Sequence, residues 1–157
     1  ACDEHDMPRL TGLFTEQAQF DAGNGLMVAT GRDAITDMFV ELFKIRGPAF
    51  HWTHDVVAKV DPQNPSQATG RVYSHAETTP NATVSLAAMR YDDRYERVEG
   101  RWLFSYRKID FLYYVPATEY NTGLSRKQRV WMSGQWADAD YPEALESWQA
   151  FAREHLK

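Results

Sequence analysis

The spacing of apolar positions along this chain changes from a helical period near its start to a period of two through its middle. Asp6-Met7-Pro8 is a helix start, a carboxylate that can cap followed by proline in the first turn. Leu10, Leu13 and Phe14 then share one helical face. Thr15 to Phe20 reads as a short strand, Asp21 to Gly25 as a turn and Leu26 to Ala29 as a second short strand. Thr30 opens the clearest helix, with Asp33 placed to favour the helix dipole. Ile35, Met38, Phe39, Leu42 and Phe43 form its apolar stripe, and Gly47-Pro48 stops it. From there the alternation predicts strands over 50–60, 67–78, 84–98 and 101–115, divided by Asp61–Ser66, Thr79–Asn81 and Glu99-Gly100. Four strands with short links make an antiparallel meander. Residues 117–140 read as irregular, and Pro142-Glu143 begins a last helix that carries Leu145, Trp148 and Phe151 on one face.

Helices followed by a run of strands indicate an α+β fold, a long curved sheet wrapped around the N-terminal helices with a pocket between them. The length of 157 residues suits one domain spanning 1–157, with a core over about 2–116 and a C-terminal tail and helix over 117–157. Ala1-Cys2-Asp3 reads as the end of a helix that begins before the given sequence.

Composition narrows the function. Five Trp, eight Tyr and eight Phe are more than a core this size absorbs, which points to an aromatic-lined cavity or a subunit interface. A net charge of −5 argues against a nucleic-acid surface, and no apolar run approaches the roughly 18 residues of a membrane span. The single cysteine excludes an internal disulfide and fits a reducing, cytoplasmic setting. No histidine pair has helical ligand spacing, so neither a metal nor a cofactor is expected.

Five segments, in order, carry a resemblance. They are Cys2–Thr15 with its spaced acids and Leu-x-x-Leu-Phe run, Thr30–Ile35, Phe50–Asp55, Ala68–Tyr73, and the hairpin Tyr91–Arg107. Together they resemble the SnoaL-like, nuclear transport factor 2-like superfamily, whose members include scytalone dehydratases, hexachlorocyclohexane dehydrochlorinases and bile acid 7α-dehydratases. The resemblance implies a cone-shaped fold and, in the first two groups, an Asp from the first helix orienting a His on the first long strand. Matched segment by segment, that Asp falls on Asp3 and that His on His51. Two positions depart from the pattern: Cys2 stands where a Tyr often precedes the Asp, and Asp55 where an Asn follows the His.

The chemistry of such a pair is general acid–base catalysis, with a carboxylate fixing the imidazole tautomer. The expectation is a cofactor-independent lyase or isomerase of dehydratase type, acting on a small apolar or cyclic metabolite through His51 and Asp3. His75, Tyr73 and Arg107 are candidate second polar residues of the pocket, and Trp52, Met89, Tyr91 and Tyr106 its candidate lining. His54 falls on the opposite face of its strand from His51, and Arg107 on the opposite face from Trp102 and Phe104 unless a bulge intervenes. Two rival readings stand: a non-catalytic ligand-binding or assembly domain of the same fold, and the small subunit of a ring-hydroxylating dioxygenase. A homo-oligomer, dimer or trimer, is expected from the aromatic surface.

Overall fold

The structure is a computed structural model that describes residues 1–132 and 134–156. Residues 2–5 form a turn rather than the end of a helix, closed by the Asp6 amide donating to the Ala1 carbonyl at 3.0 Å. Helix α1 (Met7–Thr11) starts where expected: the Asp6 carboxylate accepts the Arg9 amide at 3.1 Å, and Pro8 occupies the first turn. It ends sooner than the Leu10–Leu13–Phe14 stripe implies. Gly12 closes it, and Phe14 instead opens strand β1 (Phe14–Ala22), where its ring is buried.

An Asp21–Gly25 turn, in which Asp21 Oδ1 accepts the Gly25 amide at 2.9 Å, leads to β2 (Met27–Thr30). Helix α2 (Arg32–Ile45) is entered through Gly31 at φ +91°, with no side-chain cap from Thr30. Its stripe behaves as the spacing requires: Ile35 and Phe39 are buried, and Met38, Leu42 and Phe43 pack against the same core.

The meander then runs through β3 (Phe50–Val60), β4 (Gln67–Thr78), β5 (Ser85–Val98) and β6 (Arg101–Pro116), each antiparallel to the next. Glu99 and Gly100, both at positive φ, make the two-residue turn between β5 and β6. The sheet as a whole is mixed, not purely antiparallel. Its order is β2-β1-β6-β5-β4-β3, and β1 lies parallel to β6. A parallel neighbour needs a long connection, and everything from β2 to β5 lies between the two strands.

The segment expected to be irregular is partly ordered. After a short helix α3 (Tyr120–Gly123), β7 (Gln128–Met132) and β8 (Gln135–Asp138) form a hairpin that extends the sheet beside β6. Trp131 and Trp136 pair across it with ring centroids 5.0 Å apart. The last helix, α4 (Glu146–His155), starts later than Pro142-Glu143 suggested, because Glu143 is occupied as the carboxylate partner of buried Arg129. The core lies between α1, α2 and the concave face of β4, β5 and β6: Leu10, Ile35 and Phe39 meet Val72, Met89 and Phe111 there.

Candidate active site

Strand parity decides which side chains reach the interior. On β3, His51 and Thr53 face inward, and across the ladder they meet Ala76 and Ser74. On β5 the inward set is Ala87, Met89, Tyr91 and Asp93. Two bulges reset the parity of β6. Tyr95 pairs with Phe104 while Arg94 pairs with Tyr106, so Ser105 has no partner; Leu112 is skipped in the same way between Phe111 and Tyr113. The first bulge is what turns Arg107 inward along with Phe104. The result is a cavity of about 270 Å³, walled largely by Leu, Phe and Met from α1, α2 and the sheet.

His51 and Asp3 meet at its wall. The Asp3 carboxylate engages His51 twice: Oδ2 accepts the backbone amide at 2.9 Å, and Oδ1 lies 2.5 Å from the ring Nδ1. An ionised carboxylate only accepts, so in the neutral imidazole the proton sits on Nδ1 and the Nε2 lone pair is left free. His51 lines the cavity with its side chain 20% exposed. The turn that carries Asp3 is pinned in place, since the His5 ring stacks on Phe43 of α2 at 4.2 Å.

A second polar cluster reaches the same space through Arg107. Arg107 donates through Nε and Nη2 to the two oxygens of Asp93, both at 2.8 Å, and Tyr95 Oη donates to Asp93 at 2.9 Å. The guanidinium lies over the Phe104 ring at 4.0 Å and the Tyr91 ring at 4.7 Å. Burial works against the Arg107 charge, but the hydrogen bonds and charge of Asp93 outweigh it and hold its pKa above the ordinary arginine value. Burial pushes the Tyr91 phenol up, and burial with the Asp93 charge does the same to Tyr95. Further along the wall Thr78 and Tyr114 share a 2.8 Å hydroxyl hydrogen bond.

His51, Arg107, Met89 and Tyr91 thus line one cavity, with the exposed Asp3 behind His51, and four other candidates, Trp52, Tyr73, His75 and Tyr106, do not. Trp52, 53% exposed, lies opposite His75 in the ladder, and Tyr73 lies opposite His54; all four project from the outer face of β3 and β4. There His54 Nε2 is 2.8 Å from His75 Nδ1. Tyr106, the neighbour of Arg107 and so on the opposite face of β6, covers Arg94 at 4.9 Å in an outer groove that Tyr73 also lines. Trp52, Tyr73, His75 and Tyr106 are corrected from pocket candidates to outer-face residues, since their position within each strand sets the face. The sequence reading passed over Arg46, Thr53, Thr78 and Tyr114, which also line the cavity. Arg46 stands just past the helical stripe, where a cation is ordinarily read as complementing the helix end.

Comparison with solved structures places this architecture among known ones. A candidate scytalone dehydratase from Novosphingobium aromaticivorans aligns with a TM-score of 0.65 at 20% identity, covering 73% of this chain and 76% of that one. The type 3 hexachlorocyclohexane dehydrochlorinase from Novosphingobium barchaimii aligns at 0.64 and 18% identity, over 73% and 79% of the two chains. A candidate aromatic ring hydroxylase from Novosphingobium aromaticivorans aligns at 0.64 and 24% identity, over 70% and 78%. At these identities the likeness is one of fold. Comparison with curated proteins gives no match. No helix among the described residues is long and apolar enough to cross a membrane. The family model for the SnoaL-like domain matches residues 1–108, more than half the chain, so the protein belongs to the SnoaL-like domain family.

Proposed function

We propose that this protein is a lyase or isomerase that works by general acid–base chemistry on a small, mostly apolar or cyclic metabolite. The observation that carries the reading is the double engagement of His51 by Asp3 at the wall of an apolar cavity. His51 Nε2 takes a proton from a substrate carbon, and Asp3 stabilises the imidazolium that forms. The electron pair released at that carbon forms a new double bond and expels halide, or a hydroxyl that leaves as water by taking the proton now on His51 Nε2; or it relocates beside a carbonyl and the His51 proton is returned at another carbon. Arg107, fixed by Asp93, offers oriented N–H groups to charge developing on the departing group or carbonyl oxygen. Apolar walls strengthen each of these interactions by excluding water. The steps named here draw on side chains alone.

The cavity, about 270 Å³, falls just below the roughly 300–1,000 Å³ typical of ligand pockets, which suits a one- or two-ring compound. The test is turnover against a panel of hydroxylated and halogenated cyclic compounds. His51→Ala is expected to lower turnover about 10²–10⁴-fold and Asp3→Asn to lower it substantially, with melting behaviour unchanged. Undiminished turnover in both variants would sink the proposal.

A further inference from the structure

Arg46 is the cation in this fold that lacks a counter-charge where one is most needed. Its residue is 9% exposed, it forms part of the cavity wall, and its guanidinium sits over the Phe43 ring at 4.9 Å. Its one polar side-chain contact among the described residues is Nη2 donating to the Cys2 sulfur at 2.9 Å. Its Nε is sealed from solvent and bonded to nothing. Among the described residues Arg90 is matched to Asp110 and Asp92, Arg107 to Asp93 and Arg129 to Glu143, while the part-buried Arg32 donates to the Phe14 carbonyl. No carboxylate among the described residues comes within ion-pair range of Arg46.

Arginine does not shed its proton in a protein, so burial cannot neutralise it. An uncompensated guanidinium in an apolar wall is costly unless an anion meets it. The backbone holds it there firmly. Arg46 bridges to Pro80, and the Asn81 amide donates to the Ile45 carbonyl at 2.7 Å, fixing the end of α2 to the link between β4 and β5. Adjacent residues of the N-terminal turn secure the two groups that flank the cavity: Cys2 touches Arg46, and Asp3 holds His51.

We propose that the cavity binds a small cyclic carboxylate, with its anionic group against Arg46 and its ring among the apolar side chains. The proposal rests on the cavity being the substrate site, and names the substrate class. A planar guanidinium matches a carboxylate in shape as well as charge. Arg107 does not compete for this role, because Asp93 already neutralises it. Anchored at Arg46, the ring would present a fixed C–H to His51, which serves proton abstraction better than a freely tumbling apolar guest.

Calorimetric titration of the whole chain near pH 7 reads this directly, using benzoate, cyclohexanecarboxylate and 2-naphthoate, each against its primary amide. At least one acid is expected to bind about 10- to 100-fold more tightly than its amide. That preference disappears in Arg46→Gln, survives in part in Arg46→Lys and survives in His51→Gln. The last variant separates this idea from the base assignment: a retained preference with undiminished turnover sinks His51 as base and leaves the anion site standing. Equal binding of acids and amides, no binding of any acid, or a preference that persists in Arg46→Gln overturns the anion site. If Arg46→Gln fails to fold, melting of the unaltered protein decides, with the acids raising Tm and the amides leaving it alone. Cys2 is the only cysteine, so thiolate absorbance near about 240 nm reports on it alone. A thiolate at neutral pH would mean that the counter-charge is internal, and would equally overturn the proposal.

Discussion

Asp93 shows how one side chain holds the cavity's polar wall together. It is fully buried, with three donors converging on it from Arg107 and Tyr95. Gly70, opposite it on β4, makes room for the Tyr95 ring; a Cβ there would come within 2.7 Å of that ring. Removing the charge strands Arg107. Asp93→Asn is therefore expected to cost about 3–5 kcal/mol in chemical denaturation, far more than a surface Asp→Asn change. A loss below about 1 kcal/mol would show that water takes over the carboxylate's role. At this scale the sequence was informative where residue type came with an ordered motif, as for Asp3 and His51. It misleads where type stands alone: an aromatic or imidazole side chain looks the same from either face, so nothing in the sequence fixes the parity of Trp52, Tyr73, His75 and Tyr106. Arg46 went unnoticed because its distinguishing property, the missing partner, exists only in three dimensions.

The strands themselves were legible because alternation over 10 or more residues leaves little doubt about element type. The bulges were not, since a single unpaired residue leaves no compositional mark. Ser105 is the clearest case. It lets Phe104 and Arg107 both face the cavity, three positions apart, where a regular strand would send them to opposite faces. Ser105 is the extra residue, so deleting it would leave Phe104 and Arg107 on one face of a regular strand; inserting one residue between Tyr106 and Arg107 instead forces a choice between shifting the rest of β6 by one residue and breaking the ladder near Arg107. Either outcome exposes Ile109 and Phe111 or expels Arg107 from its bond to Asp93. The expected result is loss of a sharp cooperative thermal transition, with secondary structure largely retained by far-ultraviolet circular dichroism. Two-state melting near the parent Tm would show that a new bulge absorbs the inserted residue and that parity beyond it is set elsewhere. The β7–β8 hairpin escaped prediction for a related reason: five- and four-residue strands are too short for alternation to register, and their order comes from Trp131 against Trp136 and from docking beside β6.

Over the whole molecule, the aromatic surplus that first suggested a cavity also sets how the fold responds to alkali. Of eight tyrosines, five have raised phenols: Tyr73, little buried on the outer face, and four more deeply placed, with Tyr91, Tyr95 and Tyr114 raised by burial and Tyr113 pushed up to about 12 by burial and by its neighbour Tyr120. In the unfolded chain each would ionise near pH 10. Between that value and its raised folded value, each phenol keeps its proton only in the folded state. The folded state then binds more protons than the unfolded one, so stability falls as pH rises. The contribution is intact below about pH 10 and is lost progressively above it, through about pH 12 for Tyr113. With all four of the deeper phenols in the titrating window the slope approaches about 5 kcal/mol per pH unit, four times the single-site value. Denaturation midpoints measured from pH 7 to 11 should therefore be insensitive to these phenols up to about pH 10, then drop steeply. Tyr113→Phe should make that drop shallower by about one proton's worth. Phenolate absorbance should report the same division, an early phase from the accessible tyrosines and a late one that coincides with unfolding. If all eight phenols ionised together near pH 10 with the fold intact, the aromatic interior would have to be far wetter than its packing implies.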